Sequence, residues 1–215
     1  LMGEVWEDAS NKVAYDQRRR YFIDGELDSC MNYPFRTAII NFLRGHDGGH
    51  GFKDTIMSIV ENYPQQVVQC NMNLLGTHDT PRILTALVDE FDGSREQLAS
   101  RFLSPADKAL AQRKLMAASF LQYMLPGAPS TYYGDEAGME GHKDPFNRRT
   151  YPWGAENETL LAHYRQLGQL RKSAALRLGD TEFISAENGH IAFIRKNGQE
   201  QLKIYVNLND RSWEL

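Results

Sequence analysis

The sequence predicts an α/β fold of parallel strands, half of an eight-unit barrel, followed by an antiparallel sheet. Three observations predict it. Short apolar runs alternate with amphipathic helical stretches through residues 1–172, the pattern of repeated βα units. From Thr181 the apolar period becomes two, that of a half-buried strand. The apolar run in "NLLGTHDTPR" (73–82) ends on the ionisable pair His78–Asp79, for which a purely structural strand has no use. Barrels of parallel strands place working side chains at that point, where strand passes into loop.

The elements follow in order. "LMGEV" (1–5) and "LDSCMNY" (27–33) read as strands, and "FRTAIINFL" (35–43), after Pro34, as a helix. In "FKDTIMSIVENY" (52–63), Phe52, Ile56, Ile59, Val60 and Tyr63 recur at helical spacing. "MNLLGT" (72–77) is the third strand; Thr80 as N-cap and Pro81 at the first helical position then predict a helix starting in "RILTALV". The clearest helix is "SPADKALAQRKLMAASFLQYML" (104–125), with Ser104 as cap and Pro105 opening the first turn. "GAPSTYYGDE" (127–136) reads as the fourth strand. The charged, Gly/Pro-containing loop after it runs to about residue 157, longer than packing requires, which points to function. A helix is expected at 158–172. "TEFISAE", "HIAFIRK" and "QLKIYVNL", separated by Asn-Gly turns, predict the antiparallel sheet.

At 215 residues, 41% hydrophobic and 24% charged, the chain suits one large domain or one domain with part of a second. A net charge of −4 argues against a nucleic-acid or membrane-surface partner, which calls for a basic patch. No apolar stretch approaches the ~20 residues of a membrane helix. No signal-peptide pattern opens the chain, which begins at Leu1 in mid-motif. Cys30 and Cys70 make neither a disulfide framework nor a metal-ligand spacing; they are expected to be buried free thiols, in keeping with a cytoplasmic location. "GHDGGHG" (45–51) carries His46, Asp47 and His50. Its glycines argue against the helix that would set those histidines on one face, so a flexible surface loop without metal is expected.

Three strand ends carry carboxylates: Glu4, Asp79 and the Asp135/Glu136 pair. Glycoside hydrolysis needs an acid to protonate the leaving oxygen and a carboxylate to attack or stabilise the anomeric carbon, both around one cavity. A helix cap or a loop ion pair explains any one of these acids alone. Together, "GEVWEDA", "MNYPF", "LLGTHDTPR", "YYGDEAGM" and "DPFNRRTYPW" resemble the α-amylase family of glycoside hydrolases in order and approximate spacing. The look is nearest to the neopullulanase, cyclomaltodextrinase and maltogenic amylase subgroup, and it covers nearly all of residues 1–172.

The resemblance implies a (β/α)8 TIM-type barrel of which only units 5–8 are here, in residues 1–175. Residues 176–215 would begin a C-terminal β-sandwich domain. Glu4 would be the general acid/base at the end of the fifth strand. Asp79 would hold sugar hydroxyls at the end of the seventh and help keep the acid protonated. His78 would hydrogen-bond the same sugar. Trp6 would stack on a sugar on the leaving-group side or fill the barrel mouth. Asp144 and Arg148 would grip sugars on the non-reducing side or form a loop ion pair. Asp135 and Glu136 are expected to hold loop backbone.

The family nucleophile, an aspartate in a "G-x-R-x-D" strand, has no match; "RLGD" (177–180) has the wrong order and "FIDGELD" (22–28) lies in a loop. It is therefore expected upstream of Leu1, with the chain inactive alone and ordered against its missing N-terminal half or a second copy. The implied parent is a retaining α-glucan hydrolase of α-1,4 bonds, with α-1,6 bonds left open, acting on starch-like oligosaccharides, pullulan or cyclodextrins. A non-catalytic relative that keeps the barrel for carbohydrate binding or assembly is the alternative; such relatives typically lose the carboxylates, which here are present. No cofactor is expected, and calcium use by the parent is left open.

Overall fold

The computed structural model describes residues 1–209. β1 (Met2–Gly3) is followed by a small antiparallel hairpin, β2 (Val13–Ala14) with β3 (Gln17–Arg18), and then by β4 (Ser29–Cys30). Helices α1 (Tyr33–Arg44), α2 (His50–Asn62) and α3 (Gln65–Cys70) lead to β5 (Met72–Leu74). Helices α4 (Ile83–Ala86), α5 (Arg95–Ala99) and α6 (Pro105–Met124) lead to β6 (Ala128–Ser130). β1 pairs in parallel with β4, and β5 with β6, while a parallel bridge from Met31 to Met72 joins the two pairs. Four parallel strands thus stand side by side in chain order, an arc of a (β/α)8 barrel in which helices separate β4, β5 and β6, while β1 and β4 are joined by the small hairpin and turns instead of the helix that the repeated βα pattern predicts. Beyond β6, α7 (Glu158–Leu170) and α8 (Ala174–Leu178) precede an antiparallel sheet of β7 (Asp180–Glu187), β8 (His190–Asn197) and β9 (Glu200–Asn207).

The local reasons are legible. Asn32 caps α1 by accepting from the Phe35 amide at 3.3 Å, and Gly45 ends it with φ +80°. Ser104 caps α6 by accepting from the Asp107 amide at 3.1 Å, and Pro105 sits where its missing N–H is not needed. One face of α6 buries Ala111, Leu115, Ala118 and Leu121. Those residues share a continuous core with Phe35, Ile39 and Phe42 of α1, and with Ile191, Phe193, Ile204 and Val206 of the terminal sheet. At the first hairpin of that sheet, Asn188 and Gly189 both take positive φ (+53° and +78°), as a tight Asn-Gly turn requires.

Three expectations are corrected. Thr80 does not cap a helix: α4 starts at Ile83, is one turn long, and has Arg82 at its N-cap without a side-chain bond. The Thr80 hydroxyl instead accepts from the Thr77 amide at 3.0 Å, inside the strand-end loop. Cys70 is exposed at the end of α3, whereas Cys30 is buried, and burial pushes the Cys30 thiol up to about 11. The "GHDGGHG" segment is an ordered helix start, not a flexible loop. The Asp47 carboxylate accepts from the amides of Gly49, Gly51 and Phe52 at 2.9, 3.1 and 2.6 Å, and His50 and Gly51 belong to α2. Gly49 has φ +123°, and a Cβ there would stand 2.8 Å from the Ala186 carbonyl carbon, so this loop docks directly on β7. Among the described residues no group of three His, Cys, Asp or Glu is placed to hold a metal, and no helix is long and apolar enough to cross a membrane.

The C-terminal end of α6 is closed by residues from outside it. Arg171 donates to the carbonyls of Tyr123 (2.8 Å) and Leu125 (3.0 Å), and also to that of Gly127. Arg195 on β8, fully buried, donates to Met124 O at 2.6 Å, and to Leu176 O and Gly179 O at 3.0 and 2.9 Å. Helix-end carbonyls have no partner within the helix, and cations are favoured there. Burial pulls both guanidiniums down, Arg195 to about 9 and Arg171 to about 10, which leaves them charged at neutral pH. Arg195→Met should therefore lower stability by about 3 kcal/mol, since it strips three buried carbonyls of their donor. A urea-unfolding midpoint close to wild type would show that the sheet docks without it.

Candidate active site

β1 delivers Glu4, and the chain turns so that Trp6 lies over the same strand end. The Trp6 indole N–H donates to Glu4 Oε1 at 3.1 Å. The indole stacks on the ring of Tyr33 with centroids 3.9 Å apart and planes 11° from parallel. Tyr33 opens α1 directly after β4 and is 2% exposed. Burial raises its phenol above the ordinary value, and the charges of both Glu4 and Asp79 add to that rise. Both carboxylates of the sequence prediction thus act electrostatically on one phenol.

Asp79 stands beyond β5. His78 Nε2 lies 3.3 Å from Asp79 Oδ2, and Arg148 Nη2 donates to Asp79 Oδ1 at 3.4 Å. Arg148 Nε lies 2.8 Å from Asp144 Oδ1 and 3.0 Å from the His78 carbonyl oxygen, to which it donates. Asp144, Arg148, His78 and Asp79 thus form one cluster, while Glu4 and Trp6 form a second. A cavity of about 480 Å³ opens beside Asp79, with Arg36, Asp89, Phe91 and His142 among its walls.

Sequence reasoning missed two residues of this arrangement. Tyr33 lies within "MNYPF", a motif of the resemblance, but the sequence assigns it no role of its own. Asn147, fully buried, donates to the carbonyls of Thr77 (3.4 Å), His78 (2.7 Å) and Thr80 (2.8 Å). It pins the backbone on both sides of Asp79 from the 3-10 turn Phe146–Arg148. No local pattern marks an asparagine as a clamp on a loop some 70 residues away. In the full-length protein, Asn147→Ala should cut any kcat that depends on Asp79 by about 10- to 100-fold at temperatures well below its unfolding transition, because misplacing a positioned group by an ångström costs that much. Unchanged kcat in the folded variant would reduce Asn147 to a packing role.

Behind this site, Arg82 is fully buried and its guanidinium lies over both Tyr132 and Tyr133, 4.5 and 4.4 Å from the ring centroids. It donates to the Tyr133 carbonyl, and Nη1 stands 3.6 Å from Asp135 Oδ1. Burial raises the Asp135 carboxyl to about 7, against the pull of Arg82. Asp135 is thus a buried counter-charge under the loop. Glu136 holds backbone, its Oε2 accepting from the Gly134 amide at 2.9 Å.

A carboxylic acid with an indole on one oxygen, a stacked aromatic pair beside it, and a second carboxylate among cationic and imidazole donors suit a neutral polyhydroxylated ring. The exposed indole of Trp6 offers a face to its C–H groups, and the polar cluster offers forked hydrogen bonds to its hydroxyls.

The sequence profile of "Alpha amylase, catalytic domain" matches residues 1–157. An amylopullulanase of Thermoanaerobacter thermohydrosulfuricus is 39% identical over 214 residues, covering 93% of this chain and 14% of that protein. A cyclomaltodextrinase of Geobacillus thermopakistaniensis (strain MAS1) is 33% identical over 221 residues, covering all of this chain and 32% of that protein. Among solved structures, the type III pullulan hydrolase from Thermococcus kodakarensis superposes with a TM-score of 0.75 at 31% identity, over 92% of this chain and 32% of that one. The native Nostoc punctiforme debranching enzyme superposes with a TM-score of 0.75 at 28% identity, over 96% and 40%. The chain thus spans well under half the length of the relatives it matches.

Proposed function

The chain belongs to the α-amylase family of glycoside hydrolases, and from that premise we propose that it supplies the acid/base side of a retaining α-glucan hydrolase. The observation that carries the reading is that Glu4 follows β1 and Asp79 follows β5 in one arc of parallel strands. Glu4 gives its proton to the glycosidic oxygen as the bond to the anomeric carbon breaks, then takes a proton from the water that releases the sugar. The Trp6 indole, bonded to Oε1, fixes which carboxyl oxygen faces the substrate, and, backed by the buried ring of Tyr33, offers its exposed face as a stacking surface to the leaving sugar. Asp79, with His78 and Arg148, holds the hydroxyls of the ring that loses its leaving group. Asp144 orients Arg148 for that grip.

The nucleophile belongs, on this reading, to a fourth barrel strand on a segment preceding these residues, ~5 Å from Glu4 as a retaining mechanism requires. Residues 1–175 act as the C-terminal half of the barrel, and the sheet of β7, β8 and β9 starts the β-domain expected over 176–215, of which residues 210–215 lie outside the described residues. Among the described residues β1 and β6 are the two edges of the arc, and such edges call for further strands from the N-terminal half or a second copy. The substrates are α-1,4-linked oligosaccharides, with pullulan and cyclodextrins as variants of the same bond. The exposed free thiol of Cys70 suits a reducing, cytoplasmic setting.

The test is an NMR assay of the full-length protein on maltooligosaccharide, pullulan and cyclodextrin, reading the anomer released first. The α-anomer is expected. No hydrolysis would leave a binding or assembly role, and the β-anomer would overturn retention. The 215-residue chain alone should be inactive, and turnover by it would place the nucleophile within these residues.

A further inference from the structure

A second cleft lies apart from the residues of the proposed site. It has a volume of about 660 Å³, within the range of small-ligand sites. Tyr151 and Phe102 stand on its walls. Trp153, 84% exposed, extends the aromatic rim with its ring centroid 4.5 Å from that of Tyr151. Phe102, also exposed, is covered on one face by the Arg149 guanidinium at 4.6 Å. The turn that presents the indole is built, not loose: the Trp153 amide donates to Tyr151 O at 3.0 Å and the Ala155 amide to Pro152 O at 2.9 Å. Gly154 takes the φ of +77° that the turn needs.

The charges along this cleft are Lys108 and Arg149 against Glu140 and Glu156, so they cancel. Lys108 and Glu140 are themselves 3.2 Å apart. A cleft with aromatic faces, hydrogen-bonding side chains and no surplus charge selects a neutral polyhydroxylated ligand over an anion or a cation. The cleft adjoins the proposed site along the chain: Arg148 turns to Asp79, while the next residue, Arg149, turns to Phe102.

We propose that the Tyr151–Trp153 cleft is a non-catalytic binding site for a linear α-1,4-glucan chain, one that holds polymeric substrate while a separate stretch of it is cut. The choice of glucan rests on the function proposed above. A polymer long enough to occupy both clefts gains effective concentration at the scissile position, and a short oligosaccharide does not.

The test uses the full-length protein with Trp153→Ala and Tyr151→Ala, run by affinity electrophoresis through gels containing soluble starch and assayed on maltotriose and on starch. Trp153 is largely in solvent, so its truncation leaves the fold intact, and a melting curve checks this for both variants. Each variant should weaken retention by starch by about 5- to 10-fold, the scale of one lost stacking contact, and lower kcat/KM on starch while kcat/KM on maltotriose stays within about two-fold. Unchanged retention in both folded variants would overturn the site. An equal loss on maltotriose would make it an extension of the cleavage cleft, and would overturn it as a separate one. Retention without hydrolysis of any glucan would remove the proposed function but leave this site, whereas hydrolysis with indifferent variants would do the reverse.

Discussion

Glu4→Gln in the full-length protein should lower kcat on maltooligosaccharides by about 10²- to 10⁴-fold, the usual worth of a positioned proton donor, while substrate affinity moves only a few-fold. The substitution is nearly isosteric, and a glutamine carbonyl can still accept from the Trp6 indole that now donates to Oε1 at 3.1 Å. The stacked Trp6–Tyr33 pair should therefore stay in place, and only the transferable proton is lost. A substrate whose leaving group needs no proton separates that loss from a distorted site. On maltosyl fluoride the first step should recover much of its rate, because fluoride departs unaided. Near-normal turnover of maltooligosaccharide by the variant would remove Glu4 from its role. Equal losses on both substrates would argue for distortion.

Asp79→Asn should lower kcat/KM by about 10²- to 10³-fold, the scale seen when a preorganised group that stabilises developing charge is removed. The side chain keeps its size and loses its charge, so the contacts to Arg148 at 3.4 Å and His78 at 3.3 Å weaken together. Unfolding should hardly change, since Arg148, His78 and Asp79 are all open to solvent and such pairs contribute little to stability. The loss should grow on going from binding to chemistry, as hydroxyl contacts tighten when the ring flattens. A variant within a few-fold of wild type would show that Asp79 does not touch the reacting sugar.

What the sequence makes legible is what local chemistry decides. Ser104 and Pro105 announce the start of α6, the Asn-Gly step at 188–189 announces a hairpin, and the period of two beyond Thr181 announces a sheet. The acids at strand ends are legible for the same reason, because each terminates an apolar run. The sequence is less clear where a side chain serves a distant segment. Asn147 has the form of an ordinary loop asparagine, yet it satisfies three carbonyls near Asp79. Thr80 has the form of a helix cap, but its hydroxyl is taken by the Thr77 amide, and the helix starts later and ends after one turn. Asp47 misleads in the opposite direction: its neighbouring glycines suggest mobility, and three amide bonds to one carboxylate remove it. The one short helix that carried a usable mark was α5, where Ser94 and Gln97 form a reciprocal capping box.

The last turn of α6 contains no basic residue, so the cations that close it must come from elsewhere. One of them, Arg195, belongs to the terminal sheet. This bears on recombination. A terminal sheet grafted from another protein would arrive with a good apolar face and still leave Met124, Leu176 and Gly179 without their shared donor, unless it carried an arginine at the matching place on its central strand. The unit that can be exchanged between such proteins is therefore α6 together with β8, and a cut between them separates a lock from its key.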